Sequence, residues 1–475
     1  MKQYSHGNLN FEFIDPSNNK ALIKELQEKG FPPIPVTVRT SASETKQKAL
    51  FPVAKMIYQQ NPQYIDLLKG CTLPTGQVDF LRAEADLEYK LVSPMRNLIR
   101  ENKQILAILQ GHGEASEGIT GVGEWIEGLR NGYKIGKYDM RDPKNYGQAI
   151  SPDIKVMLIP QPKTAFTERE KYELDQYVMR GGSLFFVMNQ QVVDMDMFEK
   201  RSTMTMLREL NLDDMFLKYG FKINYDLIQD LNCESTEVFQ EGASGGTFKS
   251  EKWLFYPLIK SMPQTPLNRN ADLALLRYAS SIDTMPLKDT KKTVFLTSSE
   301  LSRTISGQQF LDLSEIMKET PPAPLFRNKG NRIAGLVVEG MFPSLFAGRQ
   351  APIDSLAPKL PTAKFGERSG LPGKIAIISD GEFCMGKWFR GKRGYMPYDN
   401  KTLLLNVVDY LSGDVALTEI RSKDIEPRTL DRNKVINHET GIRIINLLLP
   451  LLALFIFGFT RFYLRKRKNE GYKQV

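Results

Sequence analysis

The chain has 475 residues, 41% of them hydrophobic and 25% charged, and a formal net charge of +9. That length exceeds one ordinary domain and leaves room for a sizeable core; the charge is spread too thinly to argue for nucleic acid, and no nucleic-acid partner is expected. Three cysteines, Cys71, Cys233 and Cys384, lie far apart without a CxxC spacing, so they support neither a disulfide framework nor a zinc site.

Taken in chain order, NLNFEFID (residues 8–15) alternates apolar positions and reads as a strand, and ALIKELQEKG reads as a helix closed by Gly30. PVTVRT is the next strand. Residues 82–100 carry apolar side chains at helical spacing, with Ser93-Pro94 as a kink. ILAILQG then reads as a buried strand, GVGEWIEGLRNGY as a helix ending in Asn-Gly, and DIKVMLIPQP as a continuous apolar strand. TEREKYELDQYVMRGG is a helix stopped by a glycine pair, and SLFFVMNQ is another strand. Strands without alternation, separated by helices, predict a parallel sheet covered on both faces. The fold class is α/β, a flavodoxin-like or related doubly wound, mostly parallel sheet whose first part spans 1–191.

Residues 192–370 are richer in Gly, Pro, Ser and Thr and read as a β-rich insertion or second domain. The sheet pattern returns in 371–415, where GKIAIISDGEF is a strand and NKTLLLNVVDYLSGD a helix; 416–443 is a charged linker. Residues 444–460 contain no charge, and with Arg461 snorkelling the apolar run reaches 464, matching the roughly 20 residues that cross a bilayer core. One transmembrane helix over 444–464 is therefore expected. The basic cluster Arg465-Lys466-Arg467-Lys468 makes 465–475 a cytoplasmic tail and puts the preceding residues across the membrane. Yet MKQYSHGNLNFEFIDPSNNK holds no apolar core of a signal peptide, so either an N-terminal piece is lacking or the orientation is reversed.

In an open parallel sheet, ligands bind beyond the carboxyl ends of the strands. Polar residues stand there: His112 and Glu114 after ILAILQG, Gln161 after KVMLIP, Asn189 and Gln190 after LFFVM, Asp380 and Glu382 after KIAIIS. His112, Glu114, Asn189, Asp380 and Glu382 are the candidate ligand-binding residues. His112, Glu114, Asp380 and Glu382 could supply a metal site, which would suit a membrane-tethered metal-dependent hydrolase. The blander alternative, polar strand ends that satisfy backbone groups and contacts made elsewhere by a purely structural module, weighs more. No catalytic residue, metal or cofactor is expected: there is no GxSxG elbow, no GxxxxGK[ST] and no GxGxxG after a first strand.

The order NFEFIDP, LEYKLVSPMRNLI into ILAILQGHGE, YVMRGGSLFFVMNQ, LKYGFKINYDLIQD, GMFPSLFAGR and KIAIISDGEF resembles the GldG family of gliding-motility-associated ABC-transporter auxiliary proteins. LTEIRSKDIEPRTLD before the terminal helix adds to the resemblance, which covers nearly the whole chain. It implies a non-enzymatic, membrane-anchored subunit on the periplasmic side of a bacterial inner membrane, of the Bacteroidetes type. The implied partners are an ABC permease, its ATPase and an unknown extracytoplasmic substrate or protein. It also implies a link to gliding or surface export, and an additional N-terminal helix with a first βα unit, absent from this sequence, that would resolve the topology conflict.

Overall fold

A strand that is apolar at every position needs cover on both faces, and the computed structural model shows how that cover is supplied. It describes most of residues 7–413 together with helical residues between 448 and 464. The main stretches outside are 40–44, 69–79, 195–201, 313–322, 354–364, 387–395, 414–447 and 465–475. Two compact units, Met1–Lys423 and Asp424–Val475, divide the chain.

The central sheet of the first unit has nine strands. In chain order they are β1 (Ile105–Gln110), β2 (Lys134–Asp139), β3 (Ile154–Pro160), β4 (Ser183–Val187), β5 (Phe221–Ile223), β6 (Ile282–Thr284), β7 (Thr290–Thr297), β8 (Ile333–Gly340) and β9 (Gly373–Ile378). The spatial order is β5-β6-β8-β9-β4-β3-β1-β2, with β7 also paired to β8. Strands β2, β1, β3, β4 and β9 are mutually parallel. Their order, second-first-third-fourth-fifth, is that of flavodoxin-like sheets. Strands β5 to β8 join antiparallel, however, so the sheet is mixed rather than mostly parallel. The physical reason is that apolar runs in 192–370 continue the open edge at β9, where unpaired backbone groups would otherwise need another partner.

Successive strand residues feed opposite faces. On one face Leu106, Ile108, Phe185 and Ile378 pack with Trp125 of α1 (Gly123–Arg130) and with Leu404 of the helix Asn400–Leu411. On the other, Leu109, Ile159, Phe186 and Ile377 meet Tyr177 of α2 (Glu168–Met179) and Phe216 of α3 (Asp213–Lys218). A smaller core, with Trp253, Phe255 and Tyr278, lies under the hairpin Cys233–Gly242 and Gly245–Ile259.

Helices Lys20–Glu28 and Phe80–Ile99 occur where periodicity places them, the second with Pro94 inside it. Residues 8–15 form no strand: alternation supplies an apolar face, but a strand also needs a partner edge, and Phe11, Phe13 and Ile14 stand exposed. The strands of this region instead pair locally, Ile34–Arg39 with Thr45–Leu50 and Val53–Tyr58 with Asn61–Asp66.

A membrane-crossing helix over 444–464 is not shown: among the described residues no helix is long and apolar enough to cross a membrane. Residues 444–447, 451 and 453 of that stretch lie outside the described set. Its large side chains, Leu449, Leu454, Phe455, Phe457 and Phe462 among them, are exposed. The linker 416–443 and tail 465–475 also lie outside the described residues.

The glycine pair after α2 has two distinct jobs. Gly181 adopts φ +86°, a left-handed turn that ends the helix, with its N–H donating to the Val178 carbonyl at 2.9 Å. At Gly182 a Cβ would lie 2.4 Å from the Tyr177 ring, which is buried and donates to the Ile154 carbonyl at 3.0 Å. Gly182→Ala should therefore destabilise the protein by about 2 kcal/mol through overpacking, read as a lower midpoint in chemical denaturation. A midpoint within error of wild type would show that the helix end can shift freely.

Candidate functional site

β1 ends at Gln110 and runs into Gly-His-Gly-Glu. Gly111 and Gly113 have φ of +114° and +72°, values that L side chains rarely adopt, and the turn they allow directs the His112 ring inward. The ring is fully buried and lies flat on Phe166, centroids 3.7 Å apart and planes 15° apart. Nδ1 is 3.2 Å from Glu114 Oε1, while Glu114 Oε2 accepts the His112 backbone N–H at 2.9 Å. Nε2 is 3.0 Å from Glu170 Oε2, but the N–H is not aligned for a hydrogen bond, so this contact acts through charge proximity.

Glu170 is also the third residue of α2 and closes its capping box: its N–H donates to Thr167 Oγ1 at 3.2 Å and its Oε2 accepts the Thr167 N–H at 2.7 Å. Arg141 Nε donates to Glu170 Oε1 at 3.0 Å. Burial by itself would raise the Glu170 pKa, but His112, the Thr167 N–H and Arg141 outweigh it and hold the carboxyl down at about 2. For His112 burial would lower the pKa, yet the Glu114 and Glu170 carboxylates prevail and raise it above 6.5. The two carboxylates thus favour the protonated ring, and the contacts tie the end of β1 to the start of α2.

A second set gathers at the ends of β3, β4 and β9. Asp380 is fully buried; its Oδ1 accepts the Glu382 N–H at 2.8 Å and its Oδ2 the Arg277 N–H at 2.7 Å. Burial pushes its carboxyl up to about 7 against the pull of Arg277. The Arg277 guanidinium donates to the Glu382 carbonyl at 2.7 Å and the Met385 carbonyl at 3.2 Å, clamping the turn after β9. Gln161, left-handed at φ +50°, donates from Nε2 to Glu382 Oε1 at 2.6 Å. A non-glycine residue held there stores of order 1–3 kcal/mol, a strain often kept at functional sites. Asn189 and Gln190 are buried, and Asn189 Oδ1 and Gln190 Oε1 have no hydrogen-bond partner.

The predicted residues therefore fall into two separate sets. His112 pairs with Glu114 and Glu170; Asn189, Asp380 and Glu382 surround Gln161 and Gly381. Among the described residues no group of three or more His, Cys, Asp or Glu side chains could hold a metal ion, so His112, Glu114, Asp380 and Glu382 do not form the metal site weighed above. Among the described thiols neither is a ready nucleophile: burial raises Cys233 to about 11 and Cys384 higher still. Sequence reasoning missed Glu170, Arg141, Phe166 and Arg277. Only Glu170 had a local signal, the Thr-x-x-Glu of the capping box.

His112→Gln keeps the ring's approximate volume but takes the shared cation from two buried carboxylates, leaving Glu170 only Arg141, and should cost about 3 kcal/mol. The loss should depend on pH. Glu170 contributes stability above its unfolded value of 4.5 that is lost as pH falls toward about 2. His112 contributes stability that is full below its unfolded value of 6.5 and is lost as pH rises through its raised folded value. The gap in thermal midpoint between wild type and His112→Gln should be widest near pH ~5.5 and narrow toward pH ~9. A gap constant over that range would mean the buried ring is neutral.

Residues 103–407 match the family model described as "ABC-type uncharacterized transport system". The chain is 23% identical over 397 residues to an uncharacterized protein of Borreliella burgdorferi, covering 81% of this chain and 70% of that one. Among solved structures, the mmIFT52 N-terminal domain aligns at 12% identity and a TM-score of 0.37, over 65% of this chain and 97% of that domain, a likeness at which neither fold nor function carries over.

Proposed function

We propose, from the premise that the chain belongs to the auxiliary family of ABC-type uncharacterized transport systems, that it is the accessory subunit holding a transporter's extracytoplasmic domain at the membrane. The accessory role in an ABC transport system follows from membership; the match over 103–407, which takes in all nine strands of the sheet, is the observation that carries it. The finer assignment concerns the anchor, the partners and the site.

For the anchor, the support is the charge-free run 444–460 with four basic residues after 464, and the exposed apolar side chains of its described part. The soluble region then lies on the periplasmic side of a bacterial inner membrane. The chain has no GxxxxGK[ST], so ATP hydrolysis falls to a separate ATPase subunit, and passage across the membrane to a separate permease. For the site, Gln161, Asn189 and Glu382 line the strand ends where doubly wound sheets receive ligands, and the Asn189 and Gln190 side-chain amide oxygens lack partners. A polar ligand or a polar segment of a partner suits them. The resemblance to GldG adds gliding motility or cell-surface export as the process served.

Capture of the full chain in mild detergent should bring down one permease and one ATPase. Removal of 444–475 should release the chain from alkali-washed membranes and abolish that capture. Recovery of neither partner, or a truncated chain that stays in the membrane fraction, would overturn the reading.

A further inference from the structure

Among the described residues the methionines are buried or partly buried, with two exceptions: Met204 and Met206 are 54% and 52% exposed. Both lie on one extended run of the segment 192–370. Ser202–Met204 pairs antiparallel with Phe310–Asp312, and Met206–Leu207 pairs antiparallel with Gln191–Val192. Thr205 joins the two pairings. Its N–H donates to the Gln309 carbonyl at 2.8 Å, its hydroxyl donates to Gln191 Oε1 at 2.9 Å, and its Oγ1 accepts the Gln309 N–H at 2.8 Å. Thr203 and Thr205 are buried, so the alternation of an extended chain sends Met204 and Met206 to the same, outer side. Met204 stands opposite Phe310 in the register, and that ring is also exposed on the outer side.

Scattered surface apolar residues need no explanation, but here the two exposed thioethers are neighbours on one rigidly bonded ribbon. Positions two apart on a strand are separated by about 7 Å, and a methionine has three rotatable bonds, so both sulfurs can close on one atom between them. The thioether is a soft, neutral donor. It needs no deprotonation, and it selects soft ions such as Cu(I) over Mg²⁺ or Ca²⁺, which take oxygen ligands. An aromatic face beside the pair adds attraction for a cation. Because all three side chains stand on the surface, an ion reaches them without any rearrangement of the core.

We propose that Met204 and Met206 form a surface site for a soft monovalent metal ion, Cu(I) or its redox-inert analogue Ag(I), with both thioethers as ligands. No electron transfer is involved, and the ion enters and leaves in the monovalent state. Two neutral ligands hold it reversibly and leave its remaining positions to water or to a donor from another molecule. The site uses none of the side chains of the His112 or Asp380 sets.

The test uses the full chain in detergent, its accessible thiols blocked with N-ethylmaleimide and its methionine methyls labelled with ¹³C. Ag(I) nitrate is titrated in and the methyl resonances are followed by NMR, with Mg²⁺ and Zn²⁺ nitrates as controls. Two resonances, assigned to residues 204 and 206 by their loss in Met204→Leu and Met206→Leu, should shift together and saturably at micromolar Ag(I) and stay in place with the divalent ions. Each single substitution should weaken Ag(I) binding about tenfold or more, and the double substitution should abolish it. Cu(I), supplied anaerobically under reducing conditions with bicinchoninate as competitor, should give the same pattern. Leucine keeps the volume and apolar character of an exposed position, so the thermal midpoint should not move. A face that served only as an apolar contact for another protein would tolerate leucine and ignore Ag(I). Absence of a saturable shift at these two methyls, shifts of other methionines at lower Ag(I), or equal binding by the double variant would overturn the site.

Discussion

The structure depends on how α2 buries its charges. From Arg169 to Met179 every residue of this helix is buried, including Arg169, Glu170, Lys171, Glu173 and Asp175. An unpaired charge in such a place is worth several kcal/mol of penalty, so each needs a partner; Arg169 finds Glu173 on the same helix, and the other partners include residues far along the chain. Lys171 is held by both oxygens of Asp214 at 2.8–2.9 Å. Asp175 accepts from Ser344 Oγ at 2.6 Å and from the Leu345 N–H and Tyr219 hydroxyl at 2.8 Å each. Glu170 takes His112 and Arg141. One charged helix thereby pins parts of the segment 192–370 and the turn after β1 to the same face of the sheet.

This constraint explains why the most conspicuous histidine in the chain does not stand open at the mouth of the crevice. Its two nitrogens face carboxylates, and the flat contact with Phe166 fills the space above the ring. Buried hydrogen-bonding groups are left over elsewhere: on Asn189 and Gln190 at the strand ends, and on Arg169 along the flank of α2. The two places differ in sign, one rich in acceptors and the other in donors.

Much of the scaffold was legible. ILAILQ, IKVMLIP, SLFFV and GKIAII are apolar along their central runs, with polar residues only near the ends, and they are the strands covered on both faces; the Thr-x-x-Glu before YELDQYVM and the glycine pair after it mark both ends of α2. NLNFEFID shows the limit. Its alternation is as clear as that of a real strand, but strand formation needs a second edge, and no local pattern reports whether one arrives. The same limit hid the antiparallel extension, because the pairing of β8 with β9 joins Gly335 to Ile378 across a long excursion of chain. At the site, the residue types at the strand ends were legible and their partners were not: Glu170, Arg141 and Arg277 lie in other elements.

The sequence by itself determined the elements, the two-faced burial of the parallel strands, and the polar residues at their carboxyl ends, since each follows from local periodicity, caps and turn residues. Only the tertiary structure decided that the sheet is mixed, that the strand-end side chains form two separate sets instead of one, and that two methionines share one exposed face. Those outcomes rest on where buried charges and backbone edges find partners. Such partners lie tens to hundreds of residues away, and their choice is settled by packing the whole domain at once.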